Sequence, residues 1–289
     1  MIRVISAAVL VAALALAGCN GAPERVSVGQ LSHEPRVEEP APEMMSDAEL
    51  AEMRARAEQG DVATQRELGV LYARGEVVTR DHAEAVKWFR MAAAQGDAHA
   101  QLDLGLLYTH GRGVEQDHAQ AVEWYRKAAD QDLAAAEFNL GLAYAEGRGV
   151  EQDADEAMKW YLEAAGHGSP EAQLNIGAMY DLGESVPQDY AAAMKWYREA
   201  ADQGLAVAQF NIGILYARGN GVPQDCSEAV VWFARSAWGN HPDANSGVEF
   251  CFEQMTEEEI AAAKERVKVD AFPGEEEARR RNFPGSPGG

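Results

Sequence analysis

The 36 residues from Asp97 to Asp132 read DAHAQLDLGLLYTHGRGVEQDHAQAVEWYRKAADQD, and their pattern decides the fold. Ala100, Leu104 and Tyr108 recur at four-residue steps with Gly105 beside them. That stripe fits one face of a helix, and alternation for a strand is missing. Gly111-Arg112-Gly113-Val114 ends the helix: glycine supplies the left-handed conformation of a C-cap, and Val114 offers an apolar plug for the turn. Asp117 stands where an N-cap belongs, ahead of a second stripe made of Ala121, Val122, Trp124, Tyr125, Ala128 and Ala129. Gln131-Asp132 closes that stripe, at a place where other copies carry Gly60, Gly96, Gly168 and Gly204. The stretch is therefore a hairpin of two helices, A followed by B.

The hairpin recurs in both directions along the chain. Trp88, Trp124, Trp160, Trp196 and Trp232 are 36 residues apart, and so are Gly69, Gly105, Gly141, Gly177 and Gly213. Tyr72, Tyr108, Tyr144, Tyr180 and Tyr216 keep the same step, as do Asp81, Asp117, Asp153, Asp189 and Asp225, and Ala85, Ala121, Ala157, Ala193 and Ala229. Several independent series at one interval define a repeat array. A glycine inside a helix costs about 1 kcal/mol relative to alanine. Its return at one place in every copy predicts a close helix–helix approach, with tryptophan and tyrosine of a neighbouring helix filling the holes left by glycine and alanine. One hairpin cannot bury both of its faces, so copies must stack. The expected fold is all-α, an α/α superhelical solenoid of 36-residue helix-turn-helix repeats, with the aromatic residues as a core stripe and not a cofactor box.

The stretch Ala208-Gln209-Phe210-Asn211-Ile212-Gly213-Ile214-Leu215-Tyr216, then Gly219-Asn220-Gly221-Val222-Pro223-Gln224-Asp225, then Ala229 and Trp232, resembles the SEL-1-like repeat family, a branch of the tetratricopeptide-like solenoids. The resemblance implies a right-handed superhelix and, generally, a scaffold or adaptor role. Five full copies cover 61–240. Residues 46–60 resemble a lone helix B, with Leu50, Met53 and Ala57 in step with Val86, Phe89 and Ala93, and are expected to cap the array. Residues 241–270 are expected to close it. His241 to Phe252 resembles a further helix A, but Glu249 stands in the glycine register, which predicts looser or different packing there. Thr256 and Glu259 form a capping-box pattern that opens a last helix running to about Val269. The tail, 271–289, is rich in glycine and proline and is expected to be disordered.

The beginning of the chain reads as an address. Arg3 precedes an apolar run from Val4 to Leu16. A helix of that length spans ~20 Å, short of a ~30 Å hydrocarbon core, so residues 1–18 are expected to be a signal peptide and not a permanent span. Leu16-Ala17-Gly18-Cys19 resembles the lipobox of bacterial lipoproteins. The resemblance implies lipidation of Cys19, cleavage before it, and a membrane anchor. Asn20 rather than Asp after the cysteine implies an outer-membrane lipoprotein facing the periplasm. Residues 19–45 carry Pro23, Pro35, Pro40 and Pro42 among many glutamates, a composition that buries no core and reads as a tether.

Charge narrows the partners. The formal net charge is -22, with 47 acidic against 25 basic side chains. Such a surface repels nucleic acid, so none is expected as a partner. No S-x-x-K, G-x-S-x-G, H-E-x-x-H or G-x-x-x-x-G-K pattern is present, and the glycine-rich turns follow helices rather than strands. No enzyme activity, cofactor or metal is expected, since the seven histidines do not pair at metal spacing. The expected function is an envelope-anchored scaffold that binds a protein or peptide. The alternative is a peptidoglycan-binding or cell-wall hydrolase-like protein, as suspected for some secreted relatives.

Two sets of candidate site residues follow. Cys226 opens helix B of the fifth copy and Cys251 lies near the end of the next helix A, where antiparallel neighbours meet. A disulfide between them is expected if Cys19 is lipidated, the other reading being two buried thiols. The family resemblance also implies that helix A lines a concave groove. Two residues before the repeated glycine stand Asn139, Asn175 and Asn211, and three before it stand Phe138 and Phe210. A row of asparagine amides can pair with the backbone of an extended peptide, and the phenylalanines can provide apolar anchors. Glu67 and Asp103 break the row in the first two copies. The competing reading has the asparagines bonding a neighbouring repeat and the phenylalanines in the core.

Overall fold

The computed structural model describes residues 44–268. They form helices α1 (Asp47–Glu58), α2 (Val62–Arg74), α3 (His82–Ala94), α4 (Ala98–His110), α5 (His118–Ala129), α6 (Ala134–Glu146), α7 (Ala154–Gly166), α8 (Pro170–Leu182), α9 (Tyr190–Asp202), α10 (Ala206–Arg218), α11 (Cys226–Trp238), α12 (Ala244–Phe252) and α13 (Glu257–Arg266), with no strand among the described residues. The architecture is the all-α hairpin-repeat class that the 36-residue period requires. Two compact units divide the chain, one ending at Ala121 and the other beginning at Val122, so that the boundary falls inside α5. The segments expected to be signal peptide, anchor and tail, Cys19 included, lie outside the described residues.

Local chemistry explains where each helix begins and ends. Asp81, Asp153 and Asp189 sit at N-cap positions, and the side chain of each accepts from two backbone N–H groups of the following turn. Asp225 accepts from Glu228 N. The helices A begin on Asp61, Asp97 and Ser169 in three copies, while Leu133 and Leu205 hold that place without a side-chain cap bond. Helices A end on glycine in the left-handed conformation, with φ of 64° at Gly111 and 72° at Gly219. Capping boxes close both ends of the array: Ser46 with Glu49 opens α1, and Thr256 with Glu259 opens α13. A glutamine after each of four turns clasps the preceding helix, as Gln116 does by donating to Thr109 O at 2.7 Å and Gln188 by donating to Asp181 O at 2.7 Å.

In the first unit α1 packs on α2, α2 on α3 and α3 on α4. Leu68, Trp88, Phe89 and Leu104 are fully buried there, each contributing roughly 1.5–3 kcal/mol relative to exposure. The expected close approach is real. A Cβ on Gly69 would lie 2.6 Å from the ring of Phe89. In the second unit Gly141 meets Tyr161 at 2.5 Å, Gly177 meets Tyr197 at 2.6 Å and Gly213 meets Phe233 at 2.6 Å in the same way. The ring that fills the notch is therefore the residue after the tryptophan, not the tryptophan itself. Trp124, Trp160 and Trp196 are half-buried, and each carries a lysine over its outer face, Lys127 at 3.9 Å from the Trp124 centroid. A second repeated device ties three B helices, α3, α5 and α9, to the following tyrosine: Arg90 donates to Tyr108 at 2.7 Å, Arg126 to Tyr144 at 2.7 Å and Arg198 to Tyr216 at 2.8 Å, while α7 has Leu162 at that place.

The closing helices depart from the expected register. Glu249 does occupy the glycine register, yet packing is not loose there. Gly247, two residues earlier, takes over the notch, and a Cβ on it would lie 2.8 Å from the Phe233 ring. Phe233 thus sits between Gly213 of α10 and Gly247 of α12. The nine-residue α12 reaches the same ring from a shorter helix. Below it α13 packs on α11, with Ala263 buried.

Candidate functional site

The candidate residues on helices A all fall in the second unit, on α6, α8 and α10. Asn139 and Asn175 are half-buried. Asn139 Nδ2 donates to Ala135 O, one turn earlier on its own helix, at 2.7 Å. Asn175 is the hydrogen-bond partner of the Tyr161 hydroxyl, and Asn211 that of the Tyr197 hydroxyl. Tyr197 also donates to Asp181 Oδ2 at 3.1 Å. Burial pushes both tyrosine hydroxyls well above the ordinary phenol range. It also pushes the Asp181 carboxyl up, against the opposing pull of the Tyr197 bond.

Two expected site residues move into the core. Phe210 is 3% exposed, its ring centroid 5.2 Å from that of Phe233, and it stacks on His241 at 4.2 Å. Asn211 is 9% exposed. The reason is the last turn of the array: His241 and α12 cover the face of α10 that the earlier helices A leave open. Phe138 behaves differently. It is half-buried, tilts against Tyr161 at 5.9 Å, and lines a cleft of about 410 Å³ together with Ala134, Ala135, His167, Gly168, Ser169 and Glu171. The structure therefore keeps Phe138, Asn139 and Asn175 at a surface and removes Phe210 and Asn211 from it.

The cysteines lie together. Cys226 and Cys251 are held as thiols, with Cys226 the hydrogen-bond partner of Cys251. Burial first, and then Cys226 beside it, pushes the Cys251 thiol far up.

A third cluster was not read from the sequence. His167 Nδ1 lies 2.8 Å from one carboxylate oxygen of Glu137 and 3.0 Å from the other. Glu137 is buried, and its hydrogen bond and charge push the His167 imidazole above its ordinary pKa. Asp132 stands beside them with φ of 59°, and the ligating atoms of all three residues lie within 4.8 Å of one another. Their signal was present in the period: Glu137 stands where the other four copies carry glutamine, His167 where three of them do, and Asp132 where most carry glycine.

Fold and period together define a helical-hairpin repeat protein. Residues 62–97, 98–133, 134–169, 170–205 and 206–240 each match the Sel1 repeat, so the chain belongs to the Sel1 repeat family. It is similar to a solved Sel1 repeat protein from Oxalobacter formigenes at 36% identity and a TM-score of 0.62, over 68% of this chain and 81% of that one. It is also similar to a protective antigen present in uropathogenic Escherichia coli strains and displaying an SLR fold, at 35% identity and a TM-score of 0.68. That match covers 78% of this chain and 49% of the antigen. No curated protein matches the chain. Among the described residues no helix is long and apolar enough to cross a membrane.

Proposed function

We propose that this protein is an envelope-anchored scaffold that takes an extended protein segment across the exposed side of α6 and α8. Sel1 repeat proteins are generally scaffolds for protein partners, and the finer reading is carried by one observation. The cleft of about 410 Å³ places Phe138 beside the start of α8, with Ser169 and Glu171 on its far wall. A ring in an open cleft flanked by polar groups suits an apolar side chain of a bound segment. Asn139, the next residue on α6, and Asn175 on α8 offer what their amides retain beyond the bonds to Ala135 O and the Tyr161 hydroxyl, since each amide has more than one donor and acceptor place. Anchoring rests on the lipobox-like Leu16-Ala17-Gly18-Cys19, which implies several acyl chains and hence firm attachment.

The test is capture from envelope extract with the full chain and with Phe138→Ala, beside a peptidoglycan retention and turnover assay. The reading expects a protein captured by the parent, lost from Phe138→Ala at an unchanged melt, and no retention on the glycan. Retention or turnover of glycan with no captured protein supports the cell-wall alternative instead. For the anchor, Cys19→Ser is expected to abolish fatty-acid labelling and release the protein from membranes. Unchanged membrane partition overturns that part.

A further inference from the structure

We propose that the third repeat carries a divalent transition-metal site, with zinc as its cation, held by His167, Glu137 and Asp132. The argument starts from what the other copies have at these three places. Where Glu137 stands, they carry Gln65, Gln101, Gln173 and Gln209. Where His167 stands, they carry Gln95, Gln131 and Gln203. Where Asp132 stands, they carry Gly60, Gly96, Gly168 and Gly204, and the last copy ends on Asn240. The common arrangement is neutral and complete: Gln95 Nε2 donates to Gln65 Oε1 at 2.8 Å, and Gln203 Nε2 donates to Gln173 Oε1 at 2.9 Å. The amide pair locks the end of helix B to the start of the preceding helix A without burying any charge.

In the third copy two of these places change together, Glu137 and His167, the turn that leads into that copy from the second contributes Asp132, and the fold brings the three within 4.8 Å. Two of the changes add negative charge where the other copies have none. A carboxylate at Glu137 is buried where a neutral amide served, and a buried anion needs a compensating cation; protonated His167 can answer Glu137 alone, whereas a dication answers Glu137 and Asp132 together. Asp132 adopts φ of 59°, as Asn240 does at 60° in the same register, so the turn accepts a short polar side chain there and Asp132 adds a carboxylate to the corner. A dication between the three groups compensates the buried charge and gives Asp132 a task that glycine cannot perform.

The donor set selects the ion. One imidazole nitrogen and two carboxylate oxygens match the nitrogen and oxygen ligation of zinc and its neighbours. Calcium takes six to eight oxygens, which this corner does not supply. Zinc bonds of ~2.0–2.1 Å in a tetrahedron set neighbouring ligand atoms about 3.3 Å apart. The 2.8 Å between His167 Nδ1 and Glu137 Oε2 must therefore open by a few tenths of an ångström. His167 and Asp132 are both exposed and free to make that adjustment. His167 also lines the cleft of Phe138, which leaves solvent access for a fourth ligand. The net charge of -22 raises the local concentration of any cation near the surface.

The test uses the full chain in detergent, stripped with a chelator and then titrated with Co²⁺ and Zn²⁺ salts. The expected result is one equivalent of Co²⁺ that gives a four-coordinate d–d absorption without a sulfur charge-transfer band, and that Zn²⁺ displaces. Zn²⁺ is also expected to raise the melting temperature. The double variant Glu137→Gln with His167→Gln rebuilds the amide pair of the other copies, so it is expected to fold with the parent's helix content while losing both the absorption and the zinc-dependent shift. Asp132→Gly is expected to weaken binding by at least ~10-fold, the loss typical even for groups behind the ligands. Absence of a saturable equivalent, a sulfur band that assigns the metal to Cys226 and Cys251, or affinity unchanged in either variant overturns the site and leaves an ion pair only.

Discussion

Replacing Gly177 by alanine separates two explanations of the glycine series. By helix propensity alone the change stabilises, by about 1 kcal/mol for a helix interior. By contact it does the reverse. The new Cβ would lie 2.6 Å from Cδ1 and Cε1 of Tyr197, whereas carbon atoms settle at ~3.5–4.0 Å, so ring and helix must part by about 1 Å. The ring has little freedom to give way. Tyr197 is 0% exposed, and its hydroxyl is tied to Asp181 on one side and Asn211 on the other. Overpacking of this kind costs ~1–3 kcal/mol, which leaves a net loss near ~1 kcal/mol after the propensity gain. Gly166, the last residue of α7, is the matched control, since a Cβ there meets nothing within 4 Å. Gly166→Ala should gain ~0.4–1 kcal/mol through the unfolded chain. In thermal melts followed by circular dichroism the first variant should fall by ~2–4 °C and the second rise by a similar or smaller amount. Amide exchange in α8 and α9 should locate the loss, because repeat arrays need not unfold all at once. If Gly177→Ala melts at or above the parent, the glycine series is not kept by the aromatic contact and the packing argument fails.

Two further outcomes follow from buried titrating groups. Asp181 has its folded pKa raised by burial, so the folded chain holds that proton more tightly than the unfolded chain does; its favourable contribution is present below the unfolded value of ~3.9 and is lost as pH rises through the folded one. Asp181→Asn keeps an oxygen for Tyr197 to donate to, and should therefore melt higher than the parent at neutral pH, with the two curves converging in acid; a variant that melts lower at neutral pH contradicts this sign. In an oxidising compartment Cys226 and Cys251, already hydrogen-bonded thiols, should join as a disulfide that adds about 3 kcal/mol, and a mass measurement of non-reduced protein equilibrated under oxidising conditions that finds two free thiols refutes it.

Legibility in the sequence follows the distance over which a residue acts. Caps and turns depend on neighbours within a few residues, and the Asp153, Asp189 and Asp225 caps and the closing Thr256–Glu259 box stand where the local pattern placed them. The glycine notch was readable as a close approach, but not which ring fills it, because tryptophan and the residue after it share one stripe and only packing decides between them. The glycine of α12 escaped because it left the 36-residue register: Gly247 reaches Phe233 from a shorter helix. The asparagine row held a signal that the period alone conceals. Tyr125, Tyr161 and Tyr197 each precede Asn139, Asn175 and Asn211 by 14 residues, whereas Phe89, which lacks a hydroxyl, precedes Asp103 by the same interval. Amide and hydroxyl thus travel together, as bonded partners must, and the structure shows the bonds for Asn175 and Asn211. The metal-ligating corner follows the same logic at a longer interval. Glu137 and His167 are 30 residues apart and so are Gln65 and Gln95, so in a repeat array a change at one place that is answered 30 residues later marks a contact before any coordinates exist. A histidine sought only near other histidines is missed, because its partners here come from the preceding helix A and from the turn that leads into it.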